Sequence, residues 1–147
     1  MEPPSTITDV SCVTTTFCVA TTTQRMASDV WHVFDGSGWR TVPSPDPQHN
    51  PEAVSCASIR FCLAVGWWDA TVWGGEDDSG ETTVLDGVSW RWFPSPRLTW
   101  VSCVSASFCL GTSNADGHSI LSVFNGTAWS TPAPFGEATS AAPVSVS

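Results

Sequence analysis

What most constrains this chain is an internal repeat with three landmarks in fixed order. The first is Val10-Ser11-Cys12 with Phe17-Cys18, repeated as Val54-Ser55-Cys56 with Phe61-Cys62 and as Val101-Ser102-Cys103 with Phe108-Cys109. The leading Cys recurs after 44 residues and then after 47. The second landmark is Asp35-Gly36-Ser37-Gly38-Trp39, Asp86-Gly87-Val88-Ser89-Trp90 and Asn125-Gly126-Thr127-Ala128-Trp129, each preceded by an apolar pair. The third is a Pro-x-Pro exit at Pro43/Pro45, Pro94/Pro96 and Pro132/Pro134. Units of about 6–49, 50–96 and 97–140 follow within a single domain. Residues 141–147 fall where a fourth unit would start or a closing strand would lie, with Val146 in the Cys place.

Each landmark has a local meaning. Asp-Gly or Asn-Gly between apolar runs is a strong hairpin signal, because those residues tolerate positive φ, and it places the Trp on the returning strand. Two Cys with five residues between them can face each other across a tight hairpin, where strands run roughly 4.5–5.5 Å apart. This reading pairs Cys12 with Cys18, Cys56 with Cys62 and Cys103 with Cys109 as structural disulfides. Each closes a short loop and contributes about 2 kcal/mol in the chain-entropy model.

Period-two reading of the Cys hairpins sends Val10, Cys12, Cys18 and Ala20 to one face and Phe17 and Val19 to the other. Both faces are apolar, whereas a sheet wet on one side alternates apolar with polar. Such strands belong between neighbouring sheets, as in radially packed blades. No sustained 3.6-residue apolar period is present, and Thr, Val, Trp, Gly and Pro abound where helix formers are scarce. The expected class is all-β, built as three four-stranded β-propeller blades. A β-trefoil, which three repeats of this length also complete, is the alternative.

The order Val-Ser-Cys-x-x-x-x-Phe-Cys-x-Ala, a Gly-containing loop, Asp/Asn-Gly-x-x-Trp and Pro-x-Pro resembles the blade repeat of secreted actinobacterial β-propeller proteins. The likeness spans nearly the whole chain and is closest at Cys62-Leu63-Ala64-Val65-Gly66. It is similar in layout to photosystem-assembly propellers and other BNR/Asp-box-like proteins. The strict Asp-box pattern is not met, and the third copy carries Leu110-Gly111 in place of Leu-Ala. The resemblance implies fold more than function. Propellers typically close with four to eight blades, so three imply a ring completed by oligomerisation, by the C-terminal segment, or by further blades of a longer array. Two chains joined around a twofold would supply six, making a homo-oligomer the expected state.

Five Arg, no Lys and fourteen acidic residues give a formal charge of −9, which repels a phosphate backbone. Nucleic acid is therefore not an expected partner. No run approaches the ~20 apolar residues that span a bilayer, so membrane insertion is not expected either. Six Cys at disulfide spacing, without metal-type Cys-x-x-Cys, imply an oxidising compartment and hence secretion. The start, Met1-Glu2-Pro3-Pro4, lacks signal-peptide character, and the expectation is that it opens an expressed fragment or a piece of a longer precursor.

Candidate function lies where the middle unit departs from the others. Twenty-four residues separate Cys62 from Asp86, against 17 from Cys18 to Asp35 and 16 from Cys109 to Asn125. The insertion brings Trp67, Trp68 and Trp73 together with Glu76, Asp77 and Asp78. Indole faces stack on pyranose rings and carboxylates accept hydroxyls, so the expected ligand is a carbohydrate or another cell-surface group. The plainer reading packs Trp67 and Trp73 between blades and leaves the acids in a solvated turn. Glu76, Asp77, Asp78 and Glu81 also offer oxygens to Ca²⁺, but without the spacing of an EF-hand loop, so no metal or other cofactor is expected. Trp39, Trp90 and Trp129 recur in every unit, which fits repeated packing between blades more simply than a repeated ligand site. Trp31, Trp92 and Trp100 do not recur.

Catalytic signatures are missing from the sequence. BNR-like sialidases use a Tyr nucleophile, and the chain has no Tyr. His32, His49 and His118 stand apart in sequence, with no Gly-x-Ser-x-Gly and no His-Glu-x-x-His. Asn125-Gly126-Thr127 matches a glycosylation sequon whose place in the repeat makes it a turn first. The sequence thus points to a non-catalytic, lectin-like extracellular binding module. An assembly module acting through protein contacts is the alternative, and a glycoside hydrolase fragment comes last.

Overall fold

A computed structural model describes residues 5–23, 31–43, 49–68, 79–86 and 89–135. Its twelve strands form three separate four-stranded antiparallel sheets, one per repeat. Blade 1 is β1 (Thr6–Thr14), β2 (Phe17–Thr23), β3 (Trp31–Phe34) and β4 (Trp39–Val42). Blade 2 is β5 (His49–Ser58), β6 (Phe61–Trp68), β7 (Ser79–Asp86) and β8 (Ser89–Ser95), and blade 3 is β9 (Trp100–Ser105), β10 (Phe108–Ala115), β11 (His118–Phe124) and β12 (Ala133–Pro134). Strands follow chain order across every sheet, so each blade is a simple meander. This is the all-β, propeller-like blade architecture. The trefoil alternative does not form, because each repeat pairs its four strands with one another. The described sheets do not close into a ring.

All three disulfides form as spaced, Cys12–Cys18, Cys56–Cys62 and Cys103–Cys109, each joining the first two strands of its blade. The Cα atoms are 3.9–4.0 Å apart, the narrow spacing of a pair that exchanges no backbone hydrogen bonds. In such a pair the N–H of the first Cys points off the sheet edge and requires an acceptor elsewhere.

The Asp35-Gly36 and Asn125-Gly126 turns close by side-chain bonding, whereas Asp116-Gly117 makes a two-residue hairpin between Ala115 and His118. Asp35 Oδ1 accepts from Ser37 N at 2.9 Å, Ser37 Oγ at 2.7 Å and Gly38 N at 3.1 Å, and Asp35 N donates to Gly38 O. Asn125 Oδ1 repeats this with Thr127 N and Ala128 N. In these two side-chain-bonded turns positive φ falls on the glycines alone, +93° at Gly36 and +98° at Gly126, so Asp35 and Asn125 are present for their oxygens. Those three bonds favour the ionised Asp35 carboxyl and hold it below the usual carboxylate range.

The core lies between blades. Val19, Trp31 and Val33 of blade 1 pack against Val54, Cys62, Ala64 and Leu85 of blade 2. Ala53, Phe61, Leu63, Val65 and Val84, on the opposite face of blade 2, pack with Val101, Cys109 and Phe124 of blade 3. Blade 2 is thus apolar on both sides because it is covered on both. The Leu110-Gly111 departure also has a cause: a Cβ at Gly111 would stand 2.6 Å from Leu98 and 3.0 Å from Trp129. Leu98, fully buried in the crossing from blade 2 to blade 3, fills the space that Ala20 and Ala64 take in the other repeats.

Candidate functional site

Of the candidate residues in the insertion, Trp67 and Trp68 lie within the described structure, while Trp73, Glu76, Asp77 and Asp78 lie outside it. Trp67 and Trp68 are successive residues at the end of β6, so they point to opposite faces of blade 2, both half-buried. Trp67 carries the Arg97 guanidinium 5.4 Å from its ring centroid. Nearby, burial raises the Glu52 carboxyl while the Arg97 charge draws it back down. The root of the insertion is therefore already occupied by protein contacts on the Trp67 side.

Glu81 is not a solvated turn acid, and His49 is not isolated. Both are buried in blade 2, with His49 Nδ1 3.0 Å from Glu81 Oε1. The contact lies outside hydrogen-bonding geometry and leaves His49 Nε2 without a hydrogen-bond partner. Sequence reasoning missed the pair because 32 positions separate its members. Only the pairing of β5 and β7 on either side of β6 brings them together. Sealed from solvent, the pair offers no access to a substrate. Among the described residues no group of three or more His, Cys, Asp or Glu is placed to hold a metal ion.

The three repeated Trp divide. Trp90 packs with the core between blades 1 and 2, its ring 4.5 Å from that of Trp31. Trp129 packs between blades 2 and 3, its Nε1 donating to Thr82 Oγ1 at 2.9 Å. Trp39, in the same place, is 54% exposed, because nothing described covers that side of blade 1. Packing between blades is thus the role of two of the three.

Between blades 1 and 2 runs an open groove lined by Phe17, Arg40, Val42, Ile59, Leu85 and Trp90. The corresponding space between blades 2 and 3 is filled. Phe93 and Phe124 stand where Val42 and Leu85 stand, stacked at 6.0 Å, and Arg91 donates to Gly126 O at 3.1 Å. The groove therefore results from two smaller side chains.

A polar device accompanies each apolar junction. Ser11 Oγ accepts the N–H of Cys56, and Ser55 Oγ accepts the N–H of Cys103, both at 2.9 Å. The edge-pointing Cys amide is thus satisfied by the Ser of the preceding blade. Asp9 adds a bond of its own to the first junction, accepting from Val54 N at 2.9 Å. The repeated Ser was visible in every Val-Ser-Cys, but its role requires knowing that β1, β5 and β9 lie side by side. Two members of the series remain over at the ends: Cys12 N–H has no preceding Ser and Ser102 no following Cys among the described residues. The apolar faces beside them are open too. Val10 is 52% exposed where Val54 is 3%, and Phe108 is 44% exposed where Phe61 is 4%.

Comparison with protein-family models, curated proteins and solved structures finds no match.

Proposed function

We propose that this chain is a non-catalytic, extracellular assembly module of the secreted Cys-pair β-propeller type it resembles, acting through protein contacts at its two open blade faces. One observation carries the reading: the faces of blades 1 and 3 repeat the side-chain pattern of the buried junctions but have no neighbour among the described residues, with Val10, Trp39 and Phe108 exposed. Apolar area of this kind is a liability in a secreted protein unless something covers it. Three intrachain disulfides are compatible with an oxidising, extracellular setting. The test is photo-crosslinking in the secreting cell from benzoylphenylalanine at Trp39 or Phe108, with His118, exposed on blade 3, as control. Protein adducts from the first two positions and none from His118 are expected. Absence of adducts at both faces ends the reading.

A second reading, lectin-like recognition of carbohydrate, is supported by the groove whose lining includes Trp90 and Arg40. A Trp-fluorescence titration against a glycan panel tests it. No response with the wild-type chain, or an unchanged response in Trp90→Phe, removes it.

A further inference from the structure

The junction between blades is made twice inside the chain, so its rules can be stated. The earlier blade gives a Ser hydroxyl and an apolar triplet: Ser11 with Phe17, Val19 and Val33, then Ser55 with Phe61, Leu63 and Val84. The later blade gives the Cys N–H, the disulfide and two apolar side chains: Cys56–Cys62 with Val54 and Leu85, then Cys103–Cys109 with Val101 and Phe124. Blade 3 presents the first half again, as Ser102, Phe108, Leu110 and Val123. Blade 1 presents the second half, as Val10, the Cys12–Cys18 disulfide and Phe34. Cross-strand pairing puts each set on one face: Ser102 opposite Leu110 opposite Val123, and Cys12 opposite Cys18 opposite Phe34.

Resting on the assembly reading, we infer that the occupant of these faces is a second copy of this chain, docked head to tail. Blade 3 of one copy covers blade 1 of the next, and Ser102 Oγ accepts the Cys12 N–H of that copy. Continuity with the internal junctions supports this occupant: donor, acceptor and both apolar halves are those already used twice, in the same order. Charge supports it as well. Copies carrying −9 each repel, yet none of the residues just named for the two faces is acidic, although the chain has fourteen acids. A head-to-tail contact closes when its rotation completes a turn and otherwise propagates. Two copies joined at both ends present six blades, within the usual four to eight.

Native mass spectrometry and sedimentation of the full chain test this, with Val10→Asp and Phe108→Asp alongside. The wild type is expected at twice the chain mass and each variant at the single mass. An equal mixture of the two variants regains a dimer, because one keeps blade 3 intact and the other blade 1. Ser102→Ala, which alters no apolar contact, is expected to raise the dissociation constant roughly tenfold. A wild type that stays at single mass, a dimer that survives one Asp variant unmixed, or an unchanged dissociation constant in Ser102→Ala overturns the inference. Cross-linked adducts with other proteins at Trp39 and Phe108, beside a monomeric wild type, refute self-docking and leave the assembly reading intact. No adducts refute both.

Discussion

Phe61 and Phe108 hold the same place in the repeat, directly before the second Cys, yet one is buried in the middle blade and the other lies exposed on the last. The same contrast separates Val54 from Val10, and a milder one separates the partly buried Trp90 and Trp129 from the exposed Trp39. Local structure is shared: each residue sits in its blade at equivalent register. What differs is whether another sheet stands opposite. In a stacked-blade architecture, burial belongs to the pair of blades and not to the repeat, much as nearest-neighbour terms govern other repeat proteins.

The largest expected effect tests that contrast directly. Phe61→Ala should cost about 3–5 kcal/mol in denaturant unfolding, as for a buried aromatic, whereas Phe108→Ala in the dissociated chain should cost under about 1 kcal/mol. Equal losses would mean that the face of blade 3 is covered after all. Next in size is the His49–Glu81 pair of the middle blade. Glu81→Ala strands His49 in the interior and should cost about 3 kcal/mol, while replacing both His49 and Glu81 with Leu should be close to neutral. A double variant as unstable as Glu81→Ala would assign the pair a larger structural role.

Ser55→Ala leaves the Cys103 amide without its acceptor and should cost about 1–2 kcal/mol. Ser102→Ala should leave the stability of the single chain unchanged, which sharpens the comparison between used and unused halves of one device. The smallest effect belongs to the exposed Asp35 turn. Its lowered carboxyl contributes stability that is present above the unfolded carboxylate range and lost as pH falls through the folded value. Asp35→Asn, which copies the arrangement at Asn125, should flatten that part of an acid-unfolding curve while changing the midpoint at neutral pH little.

Much of the blade was legible in advance. The Cys spacing pointed to the disulfides because two Cys with five residues between them can face each other across a tight hairpin. The double-sided apolar pattern of the Cys hairpins pointed to sandwiched sheets, and among the described residues only blade 2 is covered on both faces, while Val10 and Phe108 stay exposed. The turn was legible in position but not in chemistry, since Asp35 acts through its side-chain oxygen rather than through positive φ. The candidate site was less legible. Trp67 and Trp68 fall on opposite faces, Glu81 turns inward to His49, and Trp73, Glu76, Asp77 and Asp78 lie outside the described residues.

The four-stranded repeat, the hairpin positions and the disulfide pairing were thus legible in the sequence alone, because each depends on residues within a few tens of positions of one another. The Ser-to-Cys amide relay, the His49–Glu81 contact and the division of one repeated motif into buried and exposed copies were decided only by tertiary structure. These depend on which sheet lies beside which, and no single repeat encodes its own neighbour.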